Sequence, residues 1–363
     1  MDLQSKRIGV ALSGGGIRAA IFHLGALKYL ASAKLFDSIA SISTVSGASM
    51  AVALIFATNG NTWPNQEEFV HKVQPKIRKL ILDNNIQAAA LRRLPFAPRY
   101  WRHRVNLLAK ILEEKWGING TLQDLPTNPF WEINCTTFET GNNFRIRQDY
   151  MGDNKIGYVQ NPTLPISHMV AASAAFPILI GPYVLDASSM AFTKDKLGGP
   201  IVKTDPTYTL WDGGVYDNLG LDPLYTTFKG LDKEIDYLIV SNATASIDHQ
   251  FRHGNVSLAN LRRLLDISMN QVDVLRSRQV VSSTIGRGLG MYFKIGYTPA
   301  HVAEVLGLGS KFAEDSSISA KDAAYVRNYP TTLNSPTAKD YDLIFAHGYE
   351  IAKCVHKVQK RTW

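Results

Sequence analysis

Two strand-turn-helix units stand out at the start of the chain. An apolar run, Ile8 to Leu12, meets a triple glycine and then a segment from about Arg18 to Ala33 in which Ile21, Leu24, Leu27 and Leu30 recur at helical spacing. The second unit repeats the logic. Ile39 to Val45 is strand-like, Ser46 and Gly47 turn the chain, and Ser49 to Thr58 is an apolar helix stopped by Asn59, Gly60 and Asn61. Such units predict a mainly parallel sheet with functional loops at the carboxyl ends of its strands. Further along, Phe130 to Phe138 and Phe144 to Arg147 predict a hairpin turning around Gly141, Leu210 to Val215 a strand tip, and Ile235 to Val240 another buried strand. From Leu258 to Val280 the spacing of Leu261, Leu264, Leu265, Val272 and Leu275 predicts a core-packing helix, with Arg262, Arg263, Arg276 and Arg278 solvated on its other faces. Ser335 as N-cap, with Pro336 just inside, predicts a last helix closing on Lys353, Lys357, Lys360 and Arg361, where cations suit the helix dipole. No repeat or linker divides the pattern, which reads as one domain with insertions.

Composition narrows the class. A chain of 363 residues, 45% of them apolar, has material for a large core. Cys135 and Cys354 are too few for a disulfide framework or a zinc site of ordinary spacing, which suits a reducing compartment. The opening MDLQSKRIGVALSGGG has no apolar signal region, so a cytoplasmic location is expected. The longest apolar stretches, Ala48 to Ala57 and Met169 to Val184, are short or broken by Pro177 and Pro182, so any membrane contact should be peripheral. A formal charge of +8 favours an anionic partner. Without zinc-finger spacing, a basic heptad region or an RNP-like strand, nucleic acid is not the expected one.

Three segments carry candidate chemistry. SGGGIRA, residues 13 to 19, lies between the first strand and helix, where successive glycines let a substrate oxygen approach the amides of Gly14, Gly15 and Gly16. The spacing of Gly14, Gly16 and Ala19 also fits a dinucleotide fingerprint, but the second strand ends in Val45 and Ser46 and lacks the ribose-binding acid. TVSGAS, residues 44 to 49, sets Ser46 at a sharp strand-to-helix elbow with small neighbours, the setting of a nucleophile, although Thr44 and Ala48 replace the outer glycines of GxSxG. A serine before a helix is also an ordinary N-cap. WDGGVYDNLGL, residues 211 to 221, sets Asp212 at a strand tip, where partial desolvation would make it a stronger base; Asp217 and Asp222 read as turn or cap residues.

SGGGIRA, STVSGAS and DGGVYDNLGL, in that order and in those settings, resemble the patatin-like phospholipase family, as do INCTTFETGNNFRI from Ile133 and AASAAFPILIGP from Ala171. The resemblance assigns residues 7–245 to the hydrolase core and leaves 246–363 as a C-terminal extension packed on the same domain. It implies a three-layer α/β/α patatin-like fold around a mainly parallel sheet. It also implies a carboxylic ester hydrolase acting on phospholipid or lysophospholipid without metal or cofactor. Ser46 would attack the ester, Asp212 would take its proton, and the amides of Gly14, Gly15 and Gly16 would hold the oxyanion. Arg18 would meet a lipid phosphate or make a salt bridge on the helix face. Two alternatives stand beside this: a Ser/His/Asp esterase drawing on His249, His253, His301, His347 or His356, and a nucleotide- or phosphate-binding protein using the Gly14 to Gly16 loop. Similarity to bacterial patatins that act as regulated effectors adds the alternative of a small-molecule activator, for which the sequence shows no site. Arg92 to Arg104, RRLPFAPRYWRHR, mixes five arginines with aromatics and no acid, which suits an anionic membrane surface or a solvated loop whose rings pack on the core.

Overall fold

Apolar strands followed by apolar helices build the first half of the chain. The computed structural model describes residues 2–177, 180–245, 257–305 and 318–362. Its opening elements are β1 (Ile8–Leu12), α1 (Gly16–Ser32), β2 (Ile39–Thr44) and α2 (Gly47–Thr58), within a few residues of the expected bounds. Helices α3 (Gln74–Asp83), α4 (Ile86–Arg93) and α5 (Arg104–Trp116) lead to β3 (Phe130–Thr137). Beyond it come β4 (Asn143–Ile146), β5 (Tyr150–Asp153), β6 (Gly157–Gln160), α6 (Ile166–Ser173), β7 (Tyr183–Asp186), β8 (Phe192–Asp195), β9 (Gly198–Ile201) and β10 (Thr207–Asp212). The chain then runs through β11 (Tyr237–Asn242), α7 (Leu258–Ser283), β12 (Gly290–Lys294), α8 (Ala320–Asn328) and α9 (Ala338–Thr362).

Among the described residues twelve strands join one sheet in the order β12-β11-β1-β2-β3-β4-β5-β6-β8-β9, with β10 bridging β3 and β7, and two short strands, Tyr225–Thr226 and Gly230–Leu231, pair apart from it. From β12 to β3 the pairing is parallel, and beyond β3 it is antiparallel. Side chains alternate between faces along each strand. Val10 and Leu12, with Tyr237 and Ile239, accordingly join the large core with α1 and α2. Ala11, Leu238 and Val240 point the other way, to Leu219, Leu221, Leu224 and Val280 of α7. Helices on both faces make this a three-layer α/β/α fold. The C-terminal helix α9 lies flush on α1: a Cβ at Gly25 would meet the Phe345 carbonyl at 2.0 Å, and one at Gly348 would meet the Phe22 carbonyl at 2.0 Å.

Two expectations are corrected. In α7 the apolar periodicity is real but points outward: Leu261 and Leu264 are 57% and 61% exposed and Leu275 is exposed too. Arg262 and Arg263 instead line a cavity, and Arg276 pairs with the buried Asp217 at 3.5 Å. Periodicity says which residues share a face but not which face meets the core. The last helix starts later than Ser335: the Thr337 hydroxyl accepts from the Asp340 amide at 3.1 Å, while the Ser335 hydroxyl donates to the Ile81 carbonyl at 2.8 Å. Both cysteines are free and buried.

Candidate active site

β3 pairs along one edge with two strands in succession. β2 runs parallel to it and ends with Thr44 opposite Ile133, and β10 runs antiparallel and ends with Asp212 opposite Cys135. The two strands thus point at each other along one edge of β3, and the turns at their carboxyl ends meet in the gap. After β2 comes Ser46, held at φ 55° and ψ −118°. Positive φ is costly for a residue with a side chain and persists only where the surroundings enforce it.

The enforcement is a chain of hydroxyls. The Ser46 amide donates to Ser173 Oγ at 3.0 Å, and the Ser173 hydroxyl donates to the Asn134 carbonyl at 2.7 Å. Ser49 Oγ lies 2.9 Å from Ser173 Oγ, and Thr44 Oγ1 lies 2.9 Å from Ser49 Oγ. Trp131 Nε1 donates to Thr44 Oγ1 at 2.9 Å, and Asn134 Nδ2 donates to the Thr44 carbonyl at 3.0 Å. The threonine that departs from GxSxG therefore anchors the elbow. Ser173 and Asn134 escaped sequence reasoning; the only signal was a serine within the alanine run from Ala171 to Ala175.

Asp212 is 2% exposed, its carboxylate accepts the Gly214 amide at 2.8 Å, and it shares the cavity with Ser46. Burial pushes its pKa up to about 6 against the opposing pull of the Gly214 amide and the Ser46 side chain. Its backbone is fixed as well, since Thr136 Oγ1 donates to the Asp212 carbonyl at 2.9 Å and the Asp212 amide donates to the Ala175 carbonyl at 3.1 Å. Asp217 accepts the amides of Leu219, Leu221 and Asp222, a turn-building role, and Asp222 pairs with Arg145 at 2.7 Å.

The glycine loop closes on the elbow. Gly16 has φ 62° and a Cβ on Gly47 would meet the Gly16 carbonyl at 2.0 Å, so only glycine at position 47 allows this approach. The Gly14 amide donates to the Asn218 carbonyl at 3.0 Å. Among the described residues the amides of Gly15 and Gly16 have no such backbone acceptor. Arg18 is buried and makes no salt bridge among the described residues. Its Nη1 donates to the Tyr329 carbonyl, its Nη2 to the Ala243 carbonyl at 3.2 Å, and its Nε is unpaired. Burial without a carboxylate lowers its pKa to about 10, so it stays charged at neutral pH.

These groups share a cavity of about 680 Å³. Gly14 to Gly16, Arg18, Ser46, Asp212 and Asn218 form one end; Leu91, Leu94, Leu107, Leu108, Phe176 and Ile180 make the walls apolar. No described histidine lines it. His23 Nε2 donates to the Ser13 carbonyl at 2.8 Å while Nδ1 meets Ser241 Oγ at 2.8 Å, and burial lowers its pKa to about 4. His347 accepts the Gly296 amide, His356 bonds Tyr29, and His301 packs on Tyr297. His249 and His253 lie outside the described residues. No group of three potential metal ligands occurs among the described residues.

Comparison with known proteins bears on the fold and the family. Human GIVD cytosolic phospholipase A2 superposes with a TM-score of 0.56 at 12% identity, over 98% of this chain and 61% of that one. The same human protein in complex with methyl gamma-linolenyl fluorophosphonate gives 0.51 at 14% identity, over 99% and 60%. At this identity the likeness shows the fold. A 71-residue stretch is 37% identical to cytosolic phospholipase A2 gamma of Mus musculus, covering 20% of this chain and 12% of the mouse protein. The chain therefore spans under two thirds of the length of each. The sequence model of the patatin-like phospholipases matches residues 10–225, which takes in the glycine loop, the serine elbow and the Asp212 tip. With more than half of its length inside that match, this chain belongs to the patatin-like phospholipase family.

Proposed function

We propose that the protein is a serine-dependent lipid acyl hydrolase of the phospholipase A or lysophospholipase kind, with Ser46 as nucleophile and Asp212 as its base. The observation that carries this reading is the convergence in one cavity of the buried Asp212 carboxylate, Ser46 at a strained elbow and two glycine amides without a backbone acceptor among the described residues. Asp212 takes the Ser46 proton as Oγ bonds to the ester carbon. The carbonyl oxygen becomes an oxyanion facing the amides of Gly15 and Gly16. Collapse of that intermediate expels the lysolipid alcohol, which takes the proton from Asp212; water then repeats the sequence on the acyl-enzyme with the same base. Each amide contributes about two to three orders of magnitude in rate at comparable sites. The apolar walls suit an acyl chain, and the uncompensated charge of Arg18 at the polar end suits a lipid phosphate.

Peripheral contact with an anionic surface belongs to the same reading. Phe96 and Trp101 are 88% and 60% exposed, Arg99, Arg102 and Arg104 are exposed beside them, and Arg104 reaches the cavity. Arg262 and Arg263, which line the same cavity, neighbour the outward Leu261 and Leu264 along α7. No helix among the described residues is long and apolar enough to cross a membrane. The test is release of fatty acid from a panel of phospholipids and lysophospholipids by the parent and by Ser46→Ala. The expected loss is about a million-fold in a folded variant; a variant keeping a tenth of the activity would refute the nucleophile.

A further inference from the structure

The oxyanion loop is backed by a segment far outside the family-matched residues. Between α8 and α9, residues 329–334 run behind Gly16, Ile17 and Arg18. The Ile17 amide donates to the Thr332 carbonyl at 2.9 Å, and Arg18 donates to the Tyr329 carbonyl. A Cβ on Gly16 would meet the Thr332 carbonyl at 2.6 Å and the Thr332 nitrogen at 3.1 Å, so the strap's backbone presses against the glycine. With Gly47 on its other side, Gly16 is held between the strap and the residue after the nucleophile.

The strap is itself fixed by one side chain. Gln87, on α4, accepts the Thr332 hydroxyl at 2.7 Å and the Leu333 amide at 3.0 Å through Oε1, and its own amide donates to the Leu333 carbonyl at 3.2 Å. Thr332 Oγ1 also accepts the Asn334 amide at 3.1 Å and Asn334 Nδ2 at 3.0 Å. Ser335 ties the strap's far end to the Ile81 carbonyl. Three remote pieces of sequence, the glycine loop, α4 and the strap, thus meet at Thr332.

Resting on the hydrolase reading, we infer that Gln87 and Thr332 form a clamp that sets the position of the oxyanion loop, making both of them positioning residues for acyl transfer. Releasing the clamp frees the strap to move away from Gly16. The Gly15 and Gly16 amides then drift from the place where the oxyanion forms, while the apolar walls that bind the acyl chain stay. Misplacement of about 1 Å at such a site costs about a hundredfold in rate.

The test compares the parent, Gln87→Met and Thr332→Val, both near-isosteric and unable to make the central bond, with Thr332→Ser as the conservative rescue. The expected result is a fall of about a hundredfold in kcat on a soluble short-chain ester with KM unchanged. Exchange of the amides across Gly14 to Ala19, read by hydrogen exchange, should quicken by about tenfold, the scale of one lost hydrogen bond. Exchange in β11 should stay put, and Thr332→Ser should restore both readouts. Parental kcat in Gln87→Met and Thr332→Val overturns the clamp; so does a KM rise at constant kcat, which would make Gln87 only a wall for substrate. Equal damage from serine and valine overturns it too, since the cause would then be shape. A parent without Ser46-dependent turnover overturns the hydrolase reading instead, and the exchange measurement still decides whether the clamp holds the loop.

Discussion

Replacing Asp212 by asparagine should remove activity and make the protein more stable, with a pH dependence that identifies the cause. The folded protein holds this carboxyl at a pKa of about 6, against an ordinary 3.8. Below 3.8 the group is protonated in both the folded and the unfolded chain and contributes no pH dependence. As pH rises from there, the unfolded chain gives up the proton first, so the folded state loses relative stability until pH passes about 6. Above that the whole cost remains, about 3 kcal/mol. Asparagine never ionises, so its gain over the parent should be about 2.5 kcal/mol larger at pH 8 than at pH 4, where the unfolded carboxyl is already more than half ionised. With an unfolding entropy of about 2.1 cal/mol/K per residue over 363 residues, that is about 3 °C in Tm. Thermal unfolding by circular dichroism at intervals from pH 4 to pH 8 reads the difference directly. Other carboxylates titrate equally in parent and variant and cancel. In the same proteins, parental kcat/KM on a soluble ester should rise through an apparent pKa of about 6, because only the carboxylate accepts the Ser46 proton. Parallel Tm profiles would refute the argument that burial holds the proton. An active Asp212→Asn, or a single histidine variant as inactive as it, would refute the base.

Gly47→Ala should lower both turnover and stability, since the new Cβ meets the Gly16 carbonyl at 2.0 Å and the elbow and glycine loop must part; we expect about 1–3 kcal/mol in chemical unfolding. Parental turnover in that variant would show that the loop yields without consequence. Changing Arg92, Arg99 and Arg102, which are exposed and outside the cavity lining, together to Glu should weaken co-sedimentation with anionic vesicles by well over about a hundredfold at low salt, at about 1 kcal/mol per basic residue, and leave soluble-ester hydrolysis nearly unchanged. Equal sedimentation of parent and variant would assign the positive charge to another partner.

How much of this is legible in the sequence depends on range. The β1 and β2 units, the β3-β4 hairpin and the buried β11 come from local apolar runs and glycine breaks, and their bounds agree with the structure within a few residues. The strands from β5 to β9 leave no such trace, because segments such as Gly198–Ile201 and Phe192–Asp195 carry neither alternation nor a long apolar run. They form by pairing along an existing edge, so their stability is a property of the neighbour. Helix α7 shows the same limit from the other side. Its leucine spacing is visible, yet the core lies on the side of Asp273, Ser277 and Val280, because Asp273 bonds Asn242 and Thr244 at the end of β11.

The candidate site divides along the same line. Ser46, Asp212 and the glycine loop sit in short motifs whose spacing is a local constraint: a strand, a turn with no room for side chains, a helix. The groups that hold those motifs in place are remote. Ser173 lies 127 residues from the Ser46 amide it accepts, and Thr332 is 245 residues from Gln87. A serine in an alanine run or a glutamine on a short helix is ordinary by itself, and only the sheet order, which lays β2 and β10 head to head along β3, turns such residues into supports. The proposed nucleophile, base and oxyanion amides need certain atom types, which leave a mark in the sequence. Their supports need only a donor or acceptor at one point in space, which many residue types supply. A match ending at residue 225 therefore includes the chemistry and omits the strap on which the oxyanion loop rests.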